Sequence, residues 1–153
     1  MRNKIGTLPA LLILSLIGLW SCDNGNGMMG AYEAYRNLEV VENTFTGRVD
    51  VTSRGSDPGG DFYGNGDSGT YSFAWVNNLP TADVNFDITT PTGSVKMIIN
   101  DADSVEVLNK ICSARGDHTF SGVTDHGTPG TWLVTLVFID FDGDGSYSLS
   151  PGD

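Results

Sequence analysis

The chain has 153 residues with 19 acidic and 8 basic side chains, so its formal net charge is −11. This length suits one domain with a buried core and is short for two. The acidic balance excludes nucleic acid as an expected partner and gives the surface no attraction to anionic lipid headgroups. Two cysteines are too few for a disulfide-dense framework, and no cysteine and histidine spacing typical of zinc occurs.

The start of the chain has the layout of a secretory signal. Two basic residues within the first four precede an apolar run from Ala10 to Trp20, and Ser21 and Cys22 follow. The run is too short for a membrane-spanning helix, which needs about 20 apolar residues. We therefore predict a signal peptide at residues 1–21.

The end of this segment, Leu19-Trp20-Ser21-Cys22, resembles the lipobox of bacterial lipoproteins, although Trp20 stands where a small or branched residue is usual. The resemblance implies that Cys22 is acylated, for example with palmitate, and that acyl chains hold the protein at the membrane of the bacterial cell envelope. An ordinary signal peptide with a coincidental cysteine and an uncleaved anchor are the alternatives. If Cys22 is not acylated, it can form a disulfide with Cys112.

Residues 22–43 are predicted to be a tether and lead-in. The stretch DNGNGMMG from Asp23 to Gly30 has the composition of a flexible linker. Residues 31–42 are the one candidate helix, although their last apolar residues suit a strand equally well.

From Thr44 onward, apolar residues recur with a period of two. Residues 44–153 are therefore predicted to form an all-β domain, an antiparallel β-sandwich of jelly-roll type with seven to eight strands. Both faces of the strand at 131–140 are apolar, so we expect it to lie centrally and to be covered on both sides. The strand candidates are 44–52, 70–76, 82–90, 94–100, 104–111, 118–123, 131–140 and 146–149.

The segment from Gly69 to Leu149 carries an SGTYSF opening, an NDAD turn and a GTWLVTL strand that leads to GDGSYSL. In these features it resembles the small β-sandwich accessory modules of secreted bacterial proteins, such as pre-peptidase C-terminal domains. The resemblance implies a non-catalytic accessory role.

Acidic residues with a regular spacing follow the strand at 131–140. Their positions and the glycine at position six resemble the first half of the calcium loop of EF-hand and dockerin modules, although position twelve is Pro151. Asp-Gly pairs are equally typical of a tight hairpin turn between 131–140 and 146–149. The hypothetical Ca²⁺ ligands are Asp140, Asp142, Asp144 and Ser146.

Residues 53–69 are rich in glycine, aspartate and proline and are predicted to form a long loop. Phe62 and Tyr63 either contact a partner or glycan or tuck beneath this loop. Its oxygen-bearing side chains have no spacing typical of a metal site, and a solvated loop is favoured. They are Asp57, Asp61, Asn65 and Asp67.

Two Asp-His pairs, Asp117/His118 and Asp125/His126, have the residue types of a catalytic base or a metal ligand, although histidines in such gaps are more often plain surface residues.

The predicted function is a lipid-anchored envelope protein without catalytic residues. Its β-sandwich would bind an envelope protein or glycan, with Ca²⁺ as its one candidate cofactor. The alternatives are an envelope hydrolase that uses one of the two pairs and a purely structural envelope component without a small ligand.

Overall fold

A computed structural model describes residues 44–54 and 57–152 of the chain. Every regular element in these residues is a β-strand, and every strand pairing is antiparallel. Within them there is no helix with the length and apolar character to span a membrane. The strands are β1 (Arg48–Val49), β2 (Thr52–Arg54), β3 (Asp57–Asn77), β4 (Ala82–Asn100), β5 (Glu106–Ser113), β6 (Thr119–Val123) and β7 (Gly130–Pro151).

Three long strands organise the fold. The last of them, β7, lies between β3 and β4 and pairs with both over almost its whole length. The strand order is β1-β3-β7-β4-β5, with β2 also on β3 and β6 also on β4.

All three long strands bend at the same level. The register shifts between Asn65 and Gly69 in β3 and between Thr89 and Ser94 in β4, and Asp142 pairs with both strands at this level. Gly93 lies in the bend with φ of +82°, where a side-chain Cβ would stand 2.1 Å from the carbonyl oxygen of Asp140. Glycine is therefore required at this position.

The bend divides each long strand into two parts and folds the sheet into two layers. Layer A contains residues 57–65, 82–89 and 142–151 with β1, β2 and β6. Layer B contains residues 69–77, 94–100 and 130–139 with β5. Aromatic rings from the two layers pack against each other in the space between the layers. The ring centroids of Phe73 and Tyr147 are 5.7 Å apart. Those of Phe62 and Phe138 are 5.4 Å apart. The domain is thus the β-sandwich that the sequence predicts.

The core forms from alternate residues of each strand. On β7 the residues Trp132, Val134, Leu136 and Phe138 are fully buried. Each such side chain contributes about 1.5–3 kcal/mol by leaving water. Trp75 packs edge-on against Trp132 with ring centroids 5.9 Å apart, so the two indoles fill the part of the core that faces layer B.

Several predicted boundaries are wrong because the chain bends where the sequence suggests a turn. The predicted loop at 53–69 lies largely within β3, and the candidates 82–90 and 94–100 form the single strand β4. The Asp-Gly-Asp-Gly hairpin is also wrong, because residues on both sides of Gly143 pair with the same two neighbouring strands. Glycine allows a bulge as readily as it allows a reversal.

The prediction for residues 131–140 is half right. The strand is central, but Leu133 on its outer side is 46% exposed. The described residues form two layers, so they cover only the inner side of this strand.

The candidate at 44–52 appears as the short β1 and β2, whereas 104–111 and 118–123 correspond to β5 and β6 with small shifts. The predicted signal peptide, tether and helix lie outside the described residues.

Candidate functional site

The outer face of layer A brings polar side chains from three strands together. Because side chains alternate along a strand, every second residue of each strand points away from the core. In the pairing register, Asp61 of β3 lies beside Ser146 of β7, which lies beside Asp87 of β4. The next row places Tyr63 beside Asp144. This face is therefore rich in carboxylates and hydroxyls.

A first cavity of about 430 Å³ opens on this face, and we call it the Tyr63 cleft. Tyr63 is 43% exposed, whereas the neighbouring Phe62 is buried in the core. Of the two predicted roles of these aromatics, tucking under thus applies to Phe62 and exposure to Tyr63. The cleft is lined by Arg48, Asp50, Asp61, Phe62, Tyr63, Asp87, Thr89, Asp144 and Gly145.

A second cavity of about 480 Å³ lies on the same face, and we call it the Ser148 cleft. Asp61 lines both clefts. The remaining lining residues are Thr52, Asp57, Pro58, Gly59, Gly60, Ser146, Tyr147, Ser148 and Leu149.

Hydrogen bonds hold several of the lining side chains in position. The Ser146 hydroxyl donates to Oδ2 of Asp87 at 2.7 Å, which links β7 to β4. Nε of Arg48 lies 2.6 Å from Oδ1 of Asp50, and both side chains are more than a third exposed, so this ion pair contributes little to stability.

Tyr147 supports the clefts from the inner side of β7. Its hydroxyl donates to the carbonyl oxygen of Asp50 at 3.0 Å and so ties the β1–β2 connection to β7. Burial raises the pKa of this phenol, with smaller contributions from Tyr71 and Asp50. Tyr147 is therefore a neutral structural donor.

The predicted calcium ligands follow one another along β7 and do not form a loop. Asp144 and Ser146 line the two clefts, and Asp140 accepts a hydrogen bond from the Ser68 hydroxyl at 3.1 Å. Outer positions two residues apart on a strand are separated by about 6.6 Å. Within the described residues, no group of three or more acidic, histidine or cysteine side chains is close enough to hold a metal ion. The calcium site stays an untested prediction of the sequence, and the extended arrangement of its residues does not favour it.

The oxygen-bearing residues of the predicted loop are divided among different positions. Asp57 and Asp61 line the clefts, but Asp67 accepts a hydrogen bond from the Thr46 hydroxyl at 2.5 Å. Asn65 pairs with Asp142 at the bend.

The two Asp-His pairs lie at opposite ends of β6. The carbonyl oxygen of His118 accepts from the amide of Ile88, close to the bend, whereas Gly127, next to His126, bonds to Pro80 at the β3–β4 connection. The five residues of β6 span roughly 16 Å between them. Neither histidine, nor Asp117 or Asp125, lines either cleft. The structure thus does not join the pairs into one site.

Some cleft residues were missed from the sequence. Asp87 and Thr89 belong to the polar phase of their strand, and the sequence interpretation rests on the apolar phase alone. It places Arg48 in a strand and gives it no role in a site. The signal was the run of polar residues at every second position from Asp83 to Thr89. It indicates a hydrated face but not which other strands contribute to that face.

Cys112 is fully buried in layer B and is disulfide-bonded. The predicted lipobox lies outside the described residues. Since the chain has 2 cysteines, a Cys22–Cys112 disulfide and an acyl group on Cys22 exclude each other in the same molecule. Acylation of Cys22 stays a prediction with a defined competitor.

The sequence matches no family model, and it matches no curated protein. Among solved structures, it is similar to one described as "CBM4 structure and function", with 13% identity, a TM-score of 0.37, and 69% of this chain and 78% of that chain covered.

Two further solved structures are similar to a comparable extent. A mutant family 29 carbohydrate-binding module complexed with mannohexaose has 16% identity, a TM-score of 0.35, and covers 68% of this chain and 74% of its own. An arabinose-bound α-L-arabinofuranosidase has 12% identity, a TM-score of 0.38, and covers 68% of this chain and 22% of its own. With TM-scores this low, no functional property is transferred from these structures.

Proposed function

We propose that this protein is a non-catalytic carbohydrate-binding module of the bacterial cell envelope, anchored by lipid on Cys22. The observation that supports carbohydrate binding is the exposed ring of Tyr63 at a cleft lined by Asp61, Asp87 and Asp144. The anchor rests on the lipobox resemblance alone, and it applies to molecules in which Cys22 is not joined to Cys112 by a disulfide.

The chemistry of the cleft matches that of a sugar. A sugar ring has apolar C–H faces and many hydroxyl groups. An aromatic ring with one apolar face and one polar edge suits the C–H face, and Tyr63 offers such a ring. Carboxylates accept hydrogen bonds from hydroxyl groups, and such charge-assisted bonds are stronger than neutral ones. Thr89 adds a hydroxyl that can donate or accept.

The separation of the Asp-His pairs supports binding over hydrolysis. A hydrolase of the predicted kind needs a histidine beside the bound substrate, and both histidines lie outside the two clefts. A module needs no such convergence.

Binding is tested by electrophoresis of the full-length protein through gels that contain an uncharged polysaccharide: glucomannan, arabinoxylan or hydroxyethylcellulose. We expect retardation by at least one of them. Replacing Tyr63→Ala should weaken the affinity by up to about ten-fold, because aromatic contacts are worth roughly 0.5–1.5 kcal/mol.

The matched control is Tyr71→Ala, because Tyr71 lies on the same strand, is 39% exposed and belongs to neither cleft. Equal loss in both variants, or no retardation by any polysaccharide, would contradict the proposal. Release of new reducing ends from a bound polysaccharide would support the hydrolase alternative.

The anchor is tested by fractionating bacteria that express the full chain. Replacing Cys22→Ser should move the protein out of the membrane pellet, because several acyl chains give stable attachment and none would remain. The control variant Cys112→Ser keeps Cys22 and should stay in the pellet. An unchanged pellet fraction for Cys22→Ser, or a soluble wild type that gains two free thiols on reduction, would favour the Cys22–Cys112 bridge.

A further inference from the structure

We infer that the Tyr63 cleft and the Ser148 cleft act as one groove that binds the interior of an extended, uncharged polysaccharide chain. This inference rests on the proposed function. It adds the length of chain recognised, the mode of recognition and the charge class of the ligand.

The two clefts adjoin on one face. Asp61 lines both of them, and Ser146 of the Ser148 cleft donates a hydrogen bond to Asp87 of the Tyr63 cleft. The row Asp61–Ser146–Asp87, set by the pairing register, is thus shared between them. A ligand that leaves one cleft across this row enters the other.

The combined groove is long compared with a single sugar. Tyr63 lines one cleft and Asp57 lines the other, and they are six residues apart on β3. At about 3.3 Å per residue, this corresponds to roughly 20 Å. A single sugar ring would leave most of this length empty, whereas a chain of several units would fill it.

Polar groups are distributed along the whole groove. Asp144 lies beside Tyr63, Asp61 lies at the shared row, and Ser148 and Asp57 lie in the second cleft. A linear polysaccharide presents hydroxyl groups at a regular repeat along its length. Each added unit therefore meets further hydrogen-bonding partners, and the affinity should grow with chain length.

The charge of the groove selects against acidic chains. Its acidic and basic lining residues are Asp50, Asp57, Asp61, Asp87, Asp144 and Arg48. The arginine is already paired with Asp50 at 2.6 Å. A uronate or sulfated chain would bring like charges together, and such contacts are unfavourable. Stacking on Tyr63 and hydroxyl recognition require no charge on the ligand, so an uncharged chain fits best.

The test is calorimetric titration of the full-length protein with cello-, manno- and xylo-oligosaccharides of two, four and six units. For the series that binds, we expect the hexasaccharide to bind at least about ten-fold more tightly than the disaccharide, which corresponds to about 1.4 kcal/mol. Replacing Ser148→Leu should fill the second cleft without adding an aromatic ring and abolish that gain.

The matched control is Thr131→Leu, which places the same side chain at an exposed position of β7 in layer B and should leave the length dependence intact. Equal affinity for all lengths, or a length dependence that Ser148→Leu leaves intact, would overturn the single groove but leave the proposed function standing. No binding of any oligosaccharide or polysaccharide would overturn the proposed function itself. Binding only of cationic amino-oligosaccharides, lost at high salt, would overturn the uncharged class.

Discussion

The outer faces of layer A and layer B are built from the same three long strands, yet their chemistry differs. Layer A presents carboxylates and hydroxyls beside Tyr63. Layer B presents Ala74 and Val76 on β3 and Leu133 and Val137 on β7, with threonines between them. The inner positions of both layers are apolar, because both contribute to one core. The outer positions do not have to be apolar, so the two halves of one strand can differ in function there.

The difference limits the proposed binding to one half of the sheet. The clefts lie on layer A, where the polar phases of β3, β7 and β4 come together. The bend makes this possible, since it separates one continuous strand into a segment whose outer phase is polar and a segment whose outer phase mixes aliphatic and hydroxyl side chains.

The largest expected effect is a loss of stability when a residue on the inner side of layer B is truncated, compared with one on its outer side. Trp132 is fully buried, and its indole N–H donates to the carbonyl oxygen of Thr128 at 2.8 Å. Replacing Trp132→Ala should lower the free energy of unfolding by about 3–5 kcal/mol, because it leaves a large cavity. Chemical denaturation followed by circular dichroism measures this change.

The adjacent residue is the matched control. Leu133 points to the opposite side and is 46% exposed. We expect Leu133→Ala to change the free energy of unfolding by less than about 1 kcal/mol. A large effect at Leu133 would show that the outer face of layer B is covered in the intact protein, and the contrast between the two layers would need revision.

A smaller effect concerns the contact between the ends of the two layers. The carboxylate of Asp101, at the end of β4, is buried and accepts hydrogen bonds from the amides of Thr128, Val105 and Asp103. Thr128 lies in the connection from β6 of layer A to β7 of layer B. The bond from the Thr128 amide is the main cause that lowers the pKa of Asp101, against the opposing effect of desolvation.

The sign of the pH dependence follows from that shift. A carboxyl group with a lowered pKa in the folded state stabilises the fold at pH values above its unfolded pKa, and this contribution is lost as the pH falls through the folded pKa. We expect Asp101→Asn to lower the melting midpoint at neutral pH, and the difference from wild type to shrink in strong acid. The exposed Asp125→Asn serves as control, and an equal effect there, or a difference that does not depend on pH, would refute this role for Asp101.

The smallest expected effect is that of calcium. The sequence predicts a site at Asp140, Asp142, Asp144 and Ser146, but these residues extend along β7. With this geometry we expect millimolar Ca²⁺ and EDTA to give the same melting midpoint. A site filled a hundred-fold above its Kd would instead add about 2.7 kcal/mol. A rise that Asp142→Ala with Asp144→Ala abolishes would show that the sequence prediction is right.

Part of the candidate site was predictable from the sequence. Tyr63 was identified as a candidate glycan contact, and Asp61 and Asp144 as oxygen-bearing residues of interest. Their assembly with Asp87 was not predictable, because it depends on which strands are neighbours. Asp87 lies 26 residues from Asp61 and 57 from Asp144 in the chain, and only the pairing of β7 with both strands places the three on one face.

The sequence by itself determined the class of the fold and which residues enter the core. The period of two selects Val84, Phe86 and Ile88 in one segment and Val95, Met97 and Ile99 in another, and all six are buried. Apolar alternation suffices for this, because each strand must bury one face whatever its neighbours are.

Only the tertiary structure decided that these two segments form one strand. The inward phase shifts from even to odd positions between Thr90 and Val95, where the sequence has proline and glycine. A hairpin and a bulge produce the same local break in periodicity and use the same residues. The choice between them depends on whether the flanking segments pair with each other or with a common third strand, and here both pair with β7.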